Sequence, residues 1–310
     1  MEEVSKKLNL LINNMEKVVV GKREVIKYLV IGLLTNGHIL IEDVPGVGKT
    51  MIALALSKSI GAQFKRIQFT PDLLPSDVTG GYIYNPKESE FEFKKGPVFS
   101  NILLADELNR TTPRTQSSLL ECMQEYKVTL DGQSFELDKP FMVIGTQNPI
   151  EFQGTYSLPE AQVDRFMMKI DVGYLSIEEE KRVVIDQKNE HPIESLASVL
   201  TLSQIIELQD VVKKVEISEK IVDYIVKLVS STRVMEEVQL GASPRASISL
   251  MNSSRAWALL EGRDYVIPDD IFKLAFAILG HRIVLTPKAT VSGAIKKNVI
   301  EKLLTKIPIS

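Results

Sequence analysis

The chain has 310 residues, 44% of them hydrophobic and 25% charged, enough for two domains with proper cores. Its 37 basic and 40 acidic side chains leave a formal net charge of −3, without the basic excess of a dedicated nucleic-acid binder. The one cysteine, Cys122, excludes an internal disulfide, and no Cys/His cluster has zinc spacing.

Residues 1–14 predict a short amphipathic helix with Leu8, Leu11 and Ile12 as its apolar stripe. No apolar stretch follows a basic start here, so no signal peptide is expected. No apolar run approaches the roughly 18 residues of a membrane span, and the protein reads as cytoplasmic. A second helix is expected over 22–35, ending near Asn36-Gly37. Five short apolar runs follow, at 38–41, 64–69, 101–105, 141–145 and 166–170. Three are nearly continuous, as parallel strands buried on both faces are. Alternating with helical stretches, they predict an α/β domain with a doubly wound parallel sheet.

Two hairpins interrupt this rhythm. One spans 78–94 and turns at Asn85-Pro86; the other spans 126–137 and turns at Asp131-Gly132. After about residue 175 the strands stop. Ser176 with Glu179 makes a capping box, and helical patterns continue at 201–215, 218–232, 244–261, 268–279 and 289–306. The expected division is an α/β core over 1–174 and an all-helical domain over 175–310.

Between the first strand and the helix after it stands Asp43-Val44-Pro45-Gly46-Val47-Gly48-Lys49-Thr50, in the context a phosphate-binding loop requires. Its backbone N–H groups and the helix N-terminus favour an anion. The expected nucleotide contacts are Pro45, Gly46, Val47, Gly48, Lys49, Thr50 and Met51, with Lys49 reaching the β- and γ-phosphates and Thr50 coordinating Mg²⁺. Asp43 stands where the general pattern has its first glycine; Asp tolerates left-handed backbone, so the turn remains feasible. The third run ends in Asp106-Glu107. There Asp106 is expected to hold the Mg²⁺ shell and Glu107 to activate the attacking water. The fourth ends in Gly145-Thr146-Gln147-Asn148-Pro149, where Asn148 either positions that water or simply makes a turn.

Together these segments resemble the MoxR family of AAA+ ATPases. The resemblance extends through Leu104–Arg110, Gly145–Glu151, Gly154–Phe166 and Gly241–Ala246, in the family's order. It implies an ATP-hydrolysing, Mg²⁺-dependent machine of six copies in a ring, acting on partner proteins that contain von Willebrand factor A domains. It also implies roles: Asn148 as the sensor-1 residue, Arg165 as an arginine finger reaching a neighbouring copy, Arg245 as the sensor-2 arginine, and Val20-Gly21 as part of the adenine pocket. The helical domain becomes a lid and the hairpins its family inserts. Read from the residues alone, Ser243-Pro244 is a helix start with Arg245 in its first turn, and pairing with Asp164 is the simple alternative for Arg165.

Other readings are a nucleic-acid motor, opposed by the acidic balance; a nucleotide-gated scaffold, opposed by the Asp106-Glu107 pair; and a small-molecule kinase, opposed by the helical second half. Cys122 and Trp257 read as core, and His38, His191 and His281 as isolated. Tyr84, Phe91 and Phe93 read as a small satellite core rather than a contact surface.

Overall fold

A computed structural model describes residues 2–149, 156–188 and 191–308. Ile150, Glu151, Gly154 and Thr155 of the family-like segments lie outside the described residues.

Five parallel strands form one sheet in the order β2-β5-β8-β1-β9: β1 (Ile39–Glu42), β2 (Phe64–Gln68), β5 (Ile102–Asp106), β8 (Met142–Gln147) and β9 (Met168–Ile170). Each apolar run is a strand. The side chains of β1, β5 and β8 are buried almost throughout, because helices cover both faces. On β1, Ile39 and Ile41 join the apolar cluster of one face and Leu40 that of the other, the period of a pleated strand. The helices of this half are α1 (Glu2–Glu16), α2 (Arg23–Leu34), α3 (Lys49–Ser59), α4 (Pro75–Thr79), α5 (Pro113–Glu125) and α6 (Glu160–Val163).

Both hairpins are present: β3 (Gly80–Asn85) with β4 (Glu90–Lys95), and β6 (Lys127–Leu130) with β7 (Gln133–Glu136). Asp131 (φ 47°) and Gly132 (φ 79°) are both left-handed, as a type I′ turn demands. The two hairpins are joined to each other. Phe93 stacks on Phe135 with ring centres 4.3 Å apart, and the Tyr82 hydroxyl donates to Gln133 Oε1 at 3.0 Å. The satellite core therefore holds for Phe93 but not for its neighbours. Tyr84 and Phe91 pair at 5.4 Å at the hairpin tip and are 50% and 69% exposed.

The second half carries α7 (Ile177–Asp186), α8 (Leu202–Lys213), α9 (Glu219–Ser231), α10 (Pro244–Leu260), α11 (Pro268–Leu279), α12 (Pro287–Val291) and α13 (Lys296–Lys306). The Ser176–Glu179 capping box forms as expected. Two expectations need correction. The helix expected over 289–306 is broken into α12 and α13 by Gly293 at φ 79°, the left-handed stop that ends many helices. Strands also do not cease after residue 175: β10 (Val238–Leu240) and β11 (Val284–Leu285) form a short antiparallel ribbon, too brief for periodicity to reveal. Leu8 and Leu29 share one apolar cluster with Ile144, Leu208, Trp257 and Leu274, so the first helices, the sheet and the helical half are packed through one core. Among the described residues no helix is long and apolar enough to cross a membrane.

Candidate nucleotide site and a separate arginine face

Strand register assembles the first site. Asp106 on β5 lies opposite Gln68 on β2, and Ala105 opposite Gly145 on β8, so three carboxyl-terminal strand ends share one rim, where ligands of such sheets bind. Thr146 ties two of them. Its hydroxyl donates to Asp106 Oδ1 at 2.6 Å and accepts the Glu107 N–H at 2.8 Å. The resulting cleft holds about 360 Å³. It brings together Pro45, Gly46, Gly48, Lys49, Thr50 and Met51 with Asp106, Glu107 and Asn148, and adds Arg66, Gln68 and Thr146.

Gly46 and Gly48, each at φ 89°, take the left-handed positions of the loop. Asp43 takes none, so left-handed tolerance is not why it stands there. Its carboxylate is a clamp: Oδ1 accepts the Val44 N–H at 2.7 Å, and Oδ2 accepts Val172 N–H at 2.8 Å and Gly173 N–H at 2.5 Å. The phosphate loop is thereby tied to the segment leading from β9 into the helical half.

The Lys49 ammonium donates to the Asp43 and Gln147 carbonyls. Burial pushes its pKa down, opposed by Asp43, Asp106, Glu107 and Glu42. Arg66 donates to Asp106 Oδ2 from Nη2 at 2.7 Å. Glu107 sits in left-handed backbone, φ 57° and ψ 51°, a conformation that costs a non-glycine residue on the order of 1–3 kcal/mol. Its Oε2 accepts from Arg110 Nη1 at 2.7 Å. Asn148 is buried at the cleft wall. The Val47 side chain is partly buried against the apolar core. Gly21, at φ 72°, is not part of the cleft wall; the Glu179 carboxylate lies against it.

The two remaining arginines are not in this cleft. Arg165 and Arg245 line a different groove, of about 210 Å³, between the end of α5 and the start of α10. Arg165 does not pair with Asp164: its Nη1 donates to the Leu120 carbonyl at 2.8 Å. Asp164 is taken by others. Oδ2 accepts from Arg245 Nη1 at 3.1 Å and from the Ser243 hydroxyl at 3.0 Å, and Oδ1 from Arg282 Nε at 2.7 Å. Ser243 caps α10 by accepting the Arg245 N–H at 3.2 Å, as the Ser-Pro pattern indicates.

The family model for the AAA ATPases associated with various cellular activities matches residues 38–168, and that for the AAA lid domain matches 230–303. Chaperone MoxR1 of Mycobacterium tuberculosis is 41% identical over 303 residues, covering 95% of this chain and 80% of its own. The chain belongs to the MoxR family of AAA+ ATPases. Protein YeaC of Bacillus subtilis is 51% identical, with 99% of this chain and 97% of that one aligned. A solved structure from Cytophaga hutchinsonii, assigned as an ATPase, superposes with a TM-score of 0.93 at 44% identity, over 99% of this chain and 96% of that one. Within this MoxR-family chain, Arg66, Gln68, Thr146 and Arg282 are among the polar groups of the two sites that sequence reasoning missed. Arg66 and Gln68 had a signal, since alternate residues of one strand share a face. Arg282 had none.

Proposed function

We propose that this MoxR-family protein hydrolyses ATP at sites formed between copies of itself, in a closed ring of six, and uses the cycle to remodel a partner protein. The observation that carries the reading is the separation of the groups. Lys49, Thr50, Asp106, Glu107 and Asn148 share one cleft, while Arg165 and Arg245 share a groove with none of them. An arginine that serves phosphate from outside the cleft serves another copy. Repeating that head-to-tail contact closes a ring.

In this reading the loop N–H groups and Lys49 bind the phosphates, Glu107 accepts the proton of the attacking water, and Asn148 orients it. Arg165 and Arg245 of one copy neutralise charge on the nucleotide of the next. The cleft fits Mg²⁺. It offers the Thr50 hydroxyl and the Asp106 carboxylate, and Arg66 already supplies a cation at that carboxylate. Among the described residues no three His, Cys, Asp or Glu side chains gather to hold a metal by themselves, which suits an ion that arrives with phosphate. Mg²⁺ would withdraw charge from the phosphate oxygens. The chaperone name of the mycobacterial relative supports a protein client; family resemblance points to a von Willebrand factor A domain.

The test is ATP turnover per subunit across protein concentration. It should rise as interfaces form, with ATP binding by the Arg165→Ala protein unchanged. Turnover independent of concentration, with Arg165→Ala fully active, would leave a monomeric ATPase as the better reading.

A further inference from the structure

Arg282, at the end of α11, is an arginine without a surface role. Its side chain is 1% exposed, and all five of its donors are spent. Nε bonds Asp164 Oδ1; Nη1 bonds the Met167 and Ile278 carbonyls at 2.9 and 2.6 Å; Nη2 bonds the Asp164 and Phe166 carbonyls at 3.2 and 2.8 Å. A guanidinium is a rigid planar fork, so these contacts fix the backbone on both sides of Arg165. They also fix the Asp164 carboxylate, whose second oxygen faces Arg245 and the α10 cap.

The two arginines on Asp164 are held unequally. Arg282 is fully bonded, whereas Arg245 is 45% exposed and its side chain makes one hydrogen bond among the described residues, to Asp164. An exposed pair of this kind is weak and exchangeable. One carboxylate thus serves two cations. If Arg245 leaves, Asp164 keeps the charge and bond of Arg282 and is not stranded, which would otherwise be costly. A polyphosphate brought against this groove competes for Arg245 with more negative charge than one carboxylate offers.

We propose that Asp164, fixed by Arg282, is a positioning residue for the intersubunit reaction: it holds Arg165 and Arg245 at one height and hands Arg245 to the phosphates of the neighbour's ATP. The proposal rests on the intersubunit reading above. It joins the core, through Asp164, to the helical half, through Ser243, Arg245 and Arg282. A shift of α10 or α11 therefore changes how the arginines meet the neighbour's nucleotide.

The experiment uses the full chain. Asp164→Asn should bind a fluorescent ATP analogue as the wild type does, because its own cleft is untouched. Its turnover should fall on the order of a hundredfold, the loss that a misplaced reacting group brings. Glu107→Gln is inactive for the opposite reason, having an intact arginine face and a dead cleft. Mixing the two inactive proteins should restore turnover well above their sum, at interfaces pairing an intact cleft with an intact arginine face. A merely structural role for Asp164 gives no such recovery. Asp164→Glu, which keeps the charge against Arg282 but displaces the carboxylate by one methylene, covers the case in which the Asn variant does not fold. It should show a smaller loss with the same recovery.

An Arg165→Ala and Glu107→Gln mixture is the control. If that mixture recovers while the Asp164 variants either turn over normally alone or fail to recover, the positioning role is overturned and the intersubunit reading stands. If the control mixture does not recover, the intersubunit reading itself has failed, and the proposal with it.

Discussion

The nucleotide cleft and the arginine face are built in opposite ways. In the cleft, strand register makes the neighbours: Asp106 beside Gln68, and Thr146 one step beyond the pair of Gly145 with Ala105. Its charged groups rest on exchangeable partners, Lys49 on backbone carbonyls, Arg66 on Asp106 and Arg110 on Glu107. On the arginine face, Asp164 meets residues 81 and 118 positions further along the chain, and the centre is a buried, fully bonded guanidinium. A site that admits a polyanion keeps its cations loosely held. In the proposed reading, the surface that presents cations to another copy rests on a buried one, Arg282, that is fixed first.

The largest effect expected on this contrast is at Arg165. Arg165→Ala should lower turnover by about 10³-fold or more, the scale of a trans-acting arginine, with ATP binding retained in a filter-binding measurement. Wild-type turnover in that variant would detach the arginine face from the chemistry. Glu107→Gln should lose on the order of 10²–10⁴-fold in single-turnover phosphate release, also with binding retained. If binding is lost too, the left-handed turn at Glu107 supports the fold of the cleft as well as its chemistry.

His38, beside the arginine groove, gives a pH-dependent prediction. It lines the arginine groove, its Nε2 bonds the Met123 carbonyl at 2.9 Å, and its Nδ1 accepts the Val143 N–H of β8 at 3.0 Å. Burial pushes its pKa down from 6.5 to about 4, so the folded protein holds the neutral ring. The stabilisation is fully present above pH 6.5 and is lost as pH falls from there toward 4, up to about 3 kcal/mol. His281, also buried and lowered, acts in the same direction. Denaturant unfolding between pH 7 and pH 4 should show a shallower loss for His38→Asn than for the wild type; equal slopes would remove His38 from the acid response. The smallest effect is expected from Asp43→Gly, which restores the general loop pattern but removes the clamp on Val172 and Gly173. It should cost about 2 kcal/mol, roughly 4 °C in Tm, while ATP still binds. An unchanged Tm would mean the clamp adds nothing to the folded state.

The same contrast governs what could be read from sequence. The five strands, the loop, Asp106-Glu107 and the Asp131-Gly132 turn are legible because each rests on local pattern or local backbone chemistry. Val47 enters the expected nucleotide contacts through the loop motif, and Gly21 through the family resemblance. In the structure the Val47 side chain packs against the core while its backbone stays in the loop, and Gly21 lies under Glu179, since a motif marks a segment and not the direction of each side chain. Asp43 was noticed as a departure, but its reason lies 129 and 130 residues away. The role of Asp164 was illegible for the same reason, because nothing in its own neighbourhood names Ser243, Arg245 or Arg282.

The stack of Phe93 on Phe135 has a mechanical meaning. A lone two-stranded ribbon bends easily at its root. Two ribbons clamped side by side resist bending as one beam, because neither can fold over without dragging the other. This beam has separate footings: β3 follows α4, β6 continues from α5, and the chain after β7 runs into β8, which ends at Thr146 and Asn148. On this geometry a small displacement of those strand ends would be carried to the far end of the beam, where Tyr84 and Phe91 stand in solvent.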